Sequence, residues 1–250
     1  MKTNHRSLLA ALAASFLLVG SALAQTDLEK AAAALKAGDL AAAETLVTPL
    51  AAAGSTDAGA FHLLSQVRTA QRRAKDAVEA AEQAVKLDAA KPDHHSQLGV
   101  ALSLRMGEVN FMQMAMLSGK MKGAFEKSVA LDPNHVSGLI GLARFYTNAP
   151  EIAGGSPAKA REFAQRVHAL NPALGSFELG RIAEREEKFE EALQHFEAVL
   201  AARPESAGAH YSAGSVLVKL GRKDEARARF EAALKYNPQL AAAQKALAEL

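Results

Sequence analysis

The sequence predicts an all-α fold, a solenoid of stacked helical hairpins, and three observations carry that prediction. A helix–turn–helix pattern recurs along almost the whole chain. Alanine is abundant while tryptophan and cysteine are absent, which suits helices packed at close range. Small and large apolar residues hold fixed places within each copy, so that facing helices approach closely at the first and fill the remaining space with the second.

The best-formed copy runs from Ala209 to Pro238. Gly214, Ala226 and Ala233 are its small residues, Leu217 and Phe230 its large ones, and Gly221 breaks the pattern before a second helical run begins at Lys223. Pro238, which has no N–H to donate, ends that helix. One copy earlier, ending at Pro204, Leu179-Gly180, Phe189, Ala192, Phe196 and Val199 stand in the order and spacing of Ala213-Gly214, Lys223, Ala226, Phe230 and Ala233. Earlier copies end at Asn171-Pro172, Asp132-Pro133 and, more loosely, Leu87-Asp88. They carry Gly141, Ala160 and Val167, then Leu98-Gly99 and Phe125, then Ser65, Ala77 and Ala84. The faintest, Gly38 to Leu50, keeps Leu40 and Ala43. These copies resemble the tetratricopeptide repeat (TPR), a helix-turn-helix unit with a period of 34 residues. The resemblance covers nearly all of the chain beyond residue 24 and implies a right-handed superhelix of about six TPR hairpins. One unit cannot bury its own apolar face and needs stacked neighbours. Gln239 to Leu250 (239–250) has the place and pattern of a capping helix.

Taken in order, residues 1–24 read as a secretory signal peptide. Lys2, His5 and Arg6 precede an apolar run from Leu8 to Val19, too short to span a bilayer, and Ala22-Leu23-Ala24 supplies the small residues for cleavage after Ala24. A retained signal anchor is the alternative. No cysteine follows, so a lipid anchor on the new N-terminus is not expected, and a bacterial periplasm is the expected compartment, with secretion as the other outcome. The expected mature solenoid is 25–250.

Cleavage removes Lys2 and Arg6 and no acid, leaving 27 basic and 27 acidic residues. A balanced surface argues against nucleic acid or an anionic membrane as the partner. No later apolar run is long enough to span a bilayer, and zero cysteine removes thiol chemistry. The Ala-rich stretch Thr26 to Leu50 buries little area per residue and is expected to be the least stable part of the stack. Gly54-Ser55-Thr56-Asp57 reads as a turn with helix-cap chemistry. Arg68, Arg72, Arg73 and Lys75 crowd the next inter-helix turn, either as a solvated turn or as a patch for an anion or acidic partner.

Two inserts interrupt the period. Near 105–116 there are about ten extra residues, and beyond Met1 all the methionines fall around it: Met106, Met112, Met114, Met116 and Met121. The leading reading is a lengthened helix pair over Phe111 to Ala130 whose methionines fill an irregular gap. The alternatives are an adaptable docking surface and a Cu(I) site, since thioethers select that ion. Near 149–156, about seven extra residues include Gly154-Gly155, which permits positive φ, and Ser156-Pro157, an N-cap followed by proline at the first helical position. This segment reads as a structural loop, with partner contact as the second reading. A phosphate loop is excluded, because no strand precedes it and no Lys-Ser/Thr follows.

No enzyme is expected. His62, His135, His168, His195 and His210 are scattered singly, His94-His95 are adjacent, and none makes a pair spaced for one helical face. Glu184, Glu186, Glu187, Glu190 and Glu191 read as an exposed helix face and turn. No cofactor is expected.

The resemblance implies instead a concave groove lined by the first helix of each hairpin. Carried onto this chain, its lining is His62, Gln66 and Thr69, then Ser96, Val100 and Ser103, then His135, Leu142, Phe145 and Tyr146. Phe177, Arg181, Glu184 and Arg185 follow, and then Tyr211, Ser215, Val218 and Lys219. The expected partner-binding residues are Phe145, Tyr146, Phe177 and Tyr211 as anchors, with Arg181, Arg185 and Lys219 selecting acidic or carboxylate groups on a protein or peptide partner. The family's Lys and Asn clamp for a C-terminal carboxylate is not carried over, because the matching positions are His62, Gln66, Ser96 and Gly138. The implied function is a non-catalytic interaction scaffold of the cell envelope, with copper handling by the Met-rich insert or assembly of envelope complexes as alternatives.

Overall fold

The computed structural model of the chain describes residues 27–250, so the expected signal peptide lies outside the described residues. They form two compact units that meet in sequence at Leu131 and Asp132. The first holds α1 (27–37), α2 (Leu40–Val47), α3 (Ala58–Ala70), α4 (Ala74–Leu87), α5 (Pro92–Met106) and α6 (Phe111–Leu131). The second holds α7 (Val136–Asn148), a 3₁₀ turn (Glu151–Ala153), α8 (Pro157–Leu170), α9 (Pro172–Arg185), α10 (Phe189–Ala202), α11 (Ala207–Lys219), α12 (Lys223–Tyr236) and α13 (Ala241–Ala248). Among the described residues there is no strand, and consecutive helices pack as hairpins within each unit.

One backbone device makes four of these hairpins. Gly38, Arg72, Glu187 and Gly221 each sit at positive φ, between 60° and 82°. After each, the next N–H bonds back to a carbonyl five residues earlier: Asp39 to Ala34, Arg73 to Arg68, Lys188 to Ala183 and Arg222 to Leu217. The left-handed residue donates to the carbonyl three residues before it. This paired closure satisfies carbonyls the helix end would otherwise leave open, and it reverses the chain in the fewest residues. Gly221 marks the turn in the sequence, whereas Arg72 and Glu187 adopt the same strained conformation without glycine.

The two helices of a hairpin are then held by one close contact. Beside Gly180 lies the ring of Phe196, and beside Gly214 that of Phe230; a Cβ on either glycine would sit 2.8 or 2.6 Å from the ring. Gly99 makes the same contact with Phe125, where a Cβ would sit at 2.5 Å, although those partners are further apart in sequence by the insert between them. Phe196 is fully buried with Ala183, Ala192, Val199, Ala209 and Ala213, and Phe230 with Leu217 and Ala226. Side chains tie the turns between hairpins. The Nε2–H groups of His95 and His210 donate to the carbonyls of Ala89 and Pro204, each at 2.9 Å, and Gln244 Nε2 donates to that of Pro238 at 2.8 Å. Asp39, Asp57, Ser156, Asn171 and Ser206 cap helix starts by accepting from the N–H three residues on.

The inserts take different forms. The first lengthens α6 to 21 residues. Met121 is buried, but Phe111, Met112 and Met116 are 85%, 77% and 66% exposed. The gap-filling reading therefore holds for Met121 and is corrected for Met112 and Met116, which ride on the part of α6 that the insert adds. The second insert is a fixed loop. Gly154 takes φ 92°, Ser156 N–H donates to the Tyr146 carbonyl at 3.0 Å, and Gly155 packs so tightly on the Ala149 carbonyl that no Cβ fits.

Some of the charged residues that read as solvated are paired. Arg161 binds Glu186 and, at 2.8 Å, Glu191, joining α8 to the α9–α10 turn, and Lys188 reaches Glu186 at 2.7 Å. Hydrogen bonding from Arg161 holds the Glu186 carboxyl below the usual carboxylate range. In the first unit Arg73 bridges Glu44 and Asp76, and Arg68 donates to the Asp76 carbonyl at 3.3 Å.

Gly180→Ala is expected to cost about 1–3 kcal/mol, because the fully buried Phe196 ring has nowhere to move; chemical denaturation reads this directly. Arg72→Gly relieves a left-handed non-glycine residue and should raise stability by about 0.5–1 kcal/mol. The stability that Glu186 draws from its lowered pKa is present above the ordinary carboxylate range and is lost as pH falls through it. Glu186→Gln should therefore destabilise by about 1 kcal/mol at pH 7, with the difference from the parent closing on acidification.

Candidate functional site

The second unit carries a cavity of about 410 Å³ built from the C-terminal ends of its first helices. Thr147 and Asn148 enter from the end of α7, Arg181, Glu184 and Arg185 from the last turns of α9, and Lys219 from the end of α11. Glu187, in its left-handed turn, and Phe189, the first residue of α10, close it. Thr147 and Arg181 hold one place in successive repeats, and Arg185 and Lys219 another, so stacking of like helix ends brings them together.

The cations differ in what holds them. Arg181 lies 3.6 Å from Glu178, a carboxylate only 3% exposed. Arg144 donates to that same carboxylate through Nε, at 3.0 and 3.1 Å to its two oxygens, and through a terminal nitrogen at 2.6 Å. A buried carboxylate with two guanidinium neighbours is compensated, and in turn it fixes Arg181. Arg185 and Lys219 are exposed and make no ion pair among the described residues. Burial pushes the half-buried Glu184 carboxyl up, while Arg181 and Lys219 pull it back.

The expected site residues thus divide in two. Arg181, Arg185 and Lys219 share the cavity, whereas the expected aromatic anchors do not line it. Phe145 and Tyr146 are 5% and 6% exposed, packed edge to face at 5.3 Å, with Tyr146 stacked on Phe163 at 5.7 Å. Their role as exposed anchors is corrected, because they serve the core under the 149–156 loop. Phe177 leans on Phe196 at 5.6 Å and Tyr211 on Phe230 at 5.8 Å, each half-buried. Glu184, read both as groove lining and as part of an exposed acidic face, belongs to the cavity.

Sequence reasoning missed Thr147, Asn148, Phe189 and the Arg144–Glu178 pair. The pair had a legible signal: opposite charges at the same register in consecutive repeats, which stacking sets side by side. Among the described residues no group of three or more His, Cys, Asp or Glu is placed to hold a metal, and no helix is long and apolar enough to cross a membrane.

The family model described as tetratricopeptide repeat matches residues 183–250, which hold the cavity's α10 and α11 sides. No curated protein sequence matches the chain. Among solved structures it is similar to a thermophilic TPR protein of Thermus thermophilus, at 19% identity over 77% of this chain and 98% of that one, with a TM-score of 0.67. It is also similar to PilW, a widely conserved type IV pilus biogenesis factor, at 15% identity over 90% and 98% of the two chains, with a TM-score of 0.66. The Pseudomonas aeruginosa pilF protein matches at 15% identity over 91% and 97%, with a TM-score of 0.59. Residues 183–250 thus carry tetratricopeptide repeats, and the recurrent turn, the glycine–phenylalanine contact and the shared fold show the same repeat solenoid in the other described residues.

Proposed function

We propose that the protein is a non-catalytic interaction scaffold of the cell envelope that holds an acidic or carboxylate-bearing peptide segment of its partner in the cavity of the second unit. The observation that carries this is the set of cations there. Arg185 and Lys219, exposed and without an ion pair among the described residues, stand at the mouth of a concavity whose third cation, Arg181, is anchored from below by Glu178. Arg181, held by Glu178, is preorganised for a carboxylate, and Thr147 and Asn148 add neutral hydrogen-bonding groups. Glu184 and Glu187 limit the net positive charge, which favours a segment with one or two acidic groups over a polyanion. The repeat fold supports the scaffold reading, and a role in assembling envelope complexes is one form of it. Periplasmic location rests on the cleavable segment ending at Ala24.

A displayed random-peptide library selected on the purified chain should enrich Asp, Glu or free C-terminal carboxylates. Arg185→Glu with Lys219→Glu should weaken the selected peptides by about tenfold or more. Arg181 is left in place, because reversing it would set a carboxylate beside buried Glu178. Selected peptides without acidic groups, or equal binding by the double variant, overturn the site. Mass spectrometry of the exported chain should find Gln25 at its N-terminus; retention of residues 1–24 overturns the cleavage reading in favour of a signal anchor.

A further inference from the structure

The first unit holds a histidine pair that the interaction site does not use. His62 on α3 and His94 on α5 lie on the first helices of successive hairpins, 32 residues apart in the chain. Their Nδ1 atoms lie 3.2 Å apart, their ring centroids 5.1 Å apart, and their planes at 49°. We propose that these two imidazoles form a binding site for a divalent transition-metal ion, copper or zinc.

The argument is geometric. Two imidazole nitrogens on one tetrahedral ion, each at about 2.0–2.1 Å, stand about 3.3 Å apart. Rings facing each other along a single line at the observed nitrogen separation would have centroids roughly 5.5 Å apart, as a straight N–H···N bond requires. The centroids are closer than that, so at least one ring is turned off the line that joins the nitrogens, a turn that a shared ion requires and that the hydrogen bond between the two imidazoles tolerates.

The surroundings limit the ligands. Burial pushes both imidazoles below the ordinary histidine range, His62 to about 4, and Asp93, with Asp88 at His94, only partly offsets it, while Lys91 adds to it. His95, next in the chain, turns its Nε2 edge to the Ala89 carbonyl at 2.9 Å. Two protein ligands leave the remaining positions of the ion to water. Imidazole nitrogen suits Cu²⁺ and Zn²⁺, and the order of affinities among divalent ions places Cu²⁺ first. The ligands also separate this site from a thioether site for Cu(I) at Met112 and Met116 on α6.

The test is calorimetric titration of the purified chain, without a polyhistidine tag, with copper(II) chloride and with zinc chloride, together with electron paramagnetic resonance of the copper form. The expected result is one saturable ion per chain, tighter for copper, with nitrogen hyperfine structure. His62→Gln and His94→Gln should each weaken binding by about tenfold or more, while His168→Gln and the Met112→Leu, Met116→Leu pair leave it unchanged. His94 is the more buried, so if its variant loses helical circular dichroism, the partly exposed His62→Gln decides alone. Absence of saturable binding, affinity unchanged in the folded histidine variants, or loss of binding in the methionine pair overturns the assignment.

Discussion

The structure depends on the contact of a bare glycine with a phenylalanine ring. At Gly180 and Gly214 the two helices of a hairpin come so close that the partner ring lies within about one atom's width of where a side chain would begin. That closeness sets the hairpin angle and aligns the hairpin's outer face for the next one. A hairpin of this size has too little apolar surface to be stable alone, and burial by its neighbour supplies the rest. Phe196 accordingly packs with residues of its own hairpin and with Ala209 and Ala213 of the following one.

The left-handed turn is the second constraint, and it has the opposite character. It uses backbone alone, so its requirement is conformational and not tied to one residue type. Gly38 and Gly221 meet it without strain, while Arg72 and Glu187 meet it because the surrounding bonds over-determine the chain. At Glu187 the strained position also borders the cavity, so the turn that builds the hairpin helps shape the candidate binding surface.

Stacking turns sequence period into chemistry. Residues one repeat apart share a register, so any pair of them with complementary or like side chains becomes a pair in space. Arg144 and Glu178 become an ion pair whose carboxylate is buried, and Arg185 and Lys219 a double cation. The inserts escape this rule. The lengthened α6 carries its phenylalanine and two methionines into solvent, and the 149–156 loop folds back onto Tyr146.

By itself the sequence determined the hairpin series, the places of Gly180, Gly214, Phe196 and Phe230, the turn at Gly221, the cap positions of Ser156 and Pro157, and the three cations that share the cavity. These are local or periodic properties, and a repeat preserves local rules in each copy. Only the tertiary structure decided which groove residues are free. Phe145 and Tyr146 differ from exposed anchors solely in what covers them, and Arg181 differs from Arg185 solely in having Glu178 beneath it. Burial and pairing are sums over neighbours distant in the chain. A residue's type and register do not contain them, and packing assigns them.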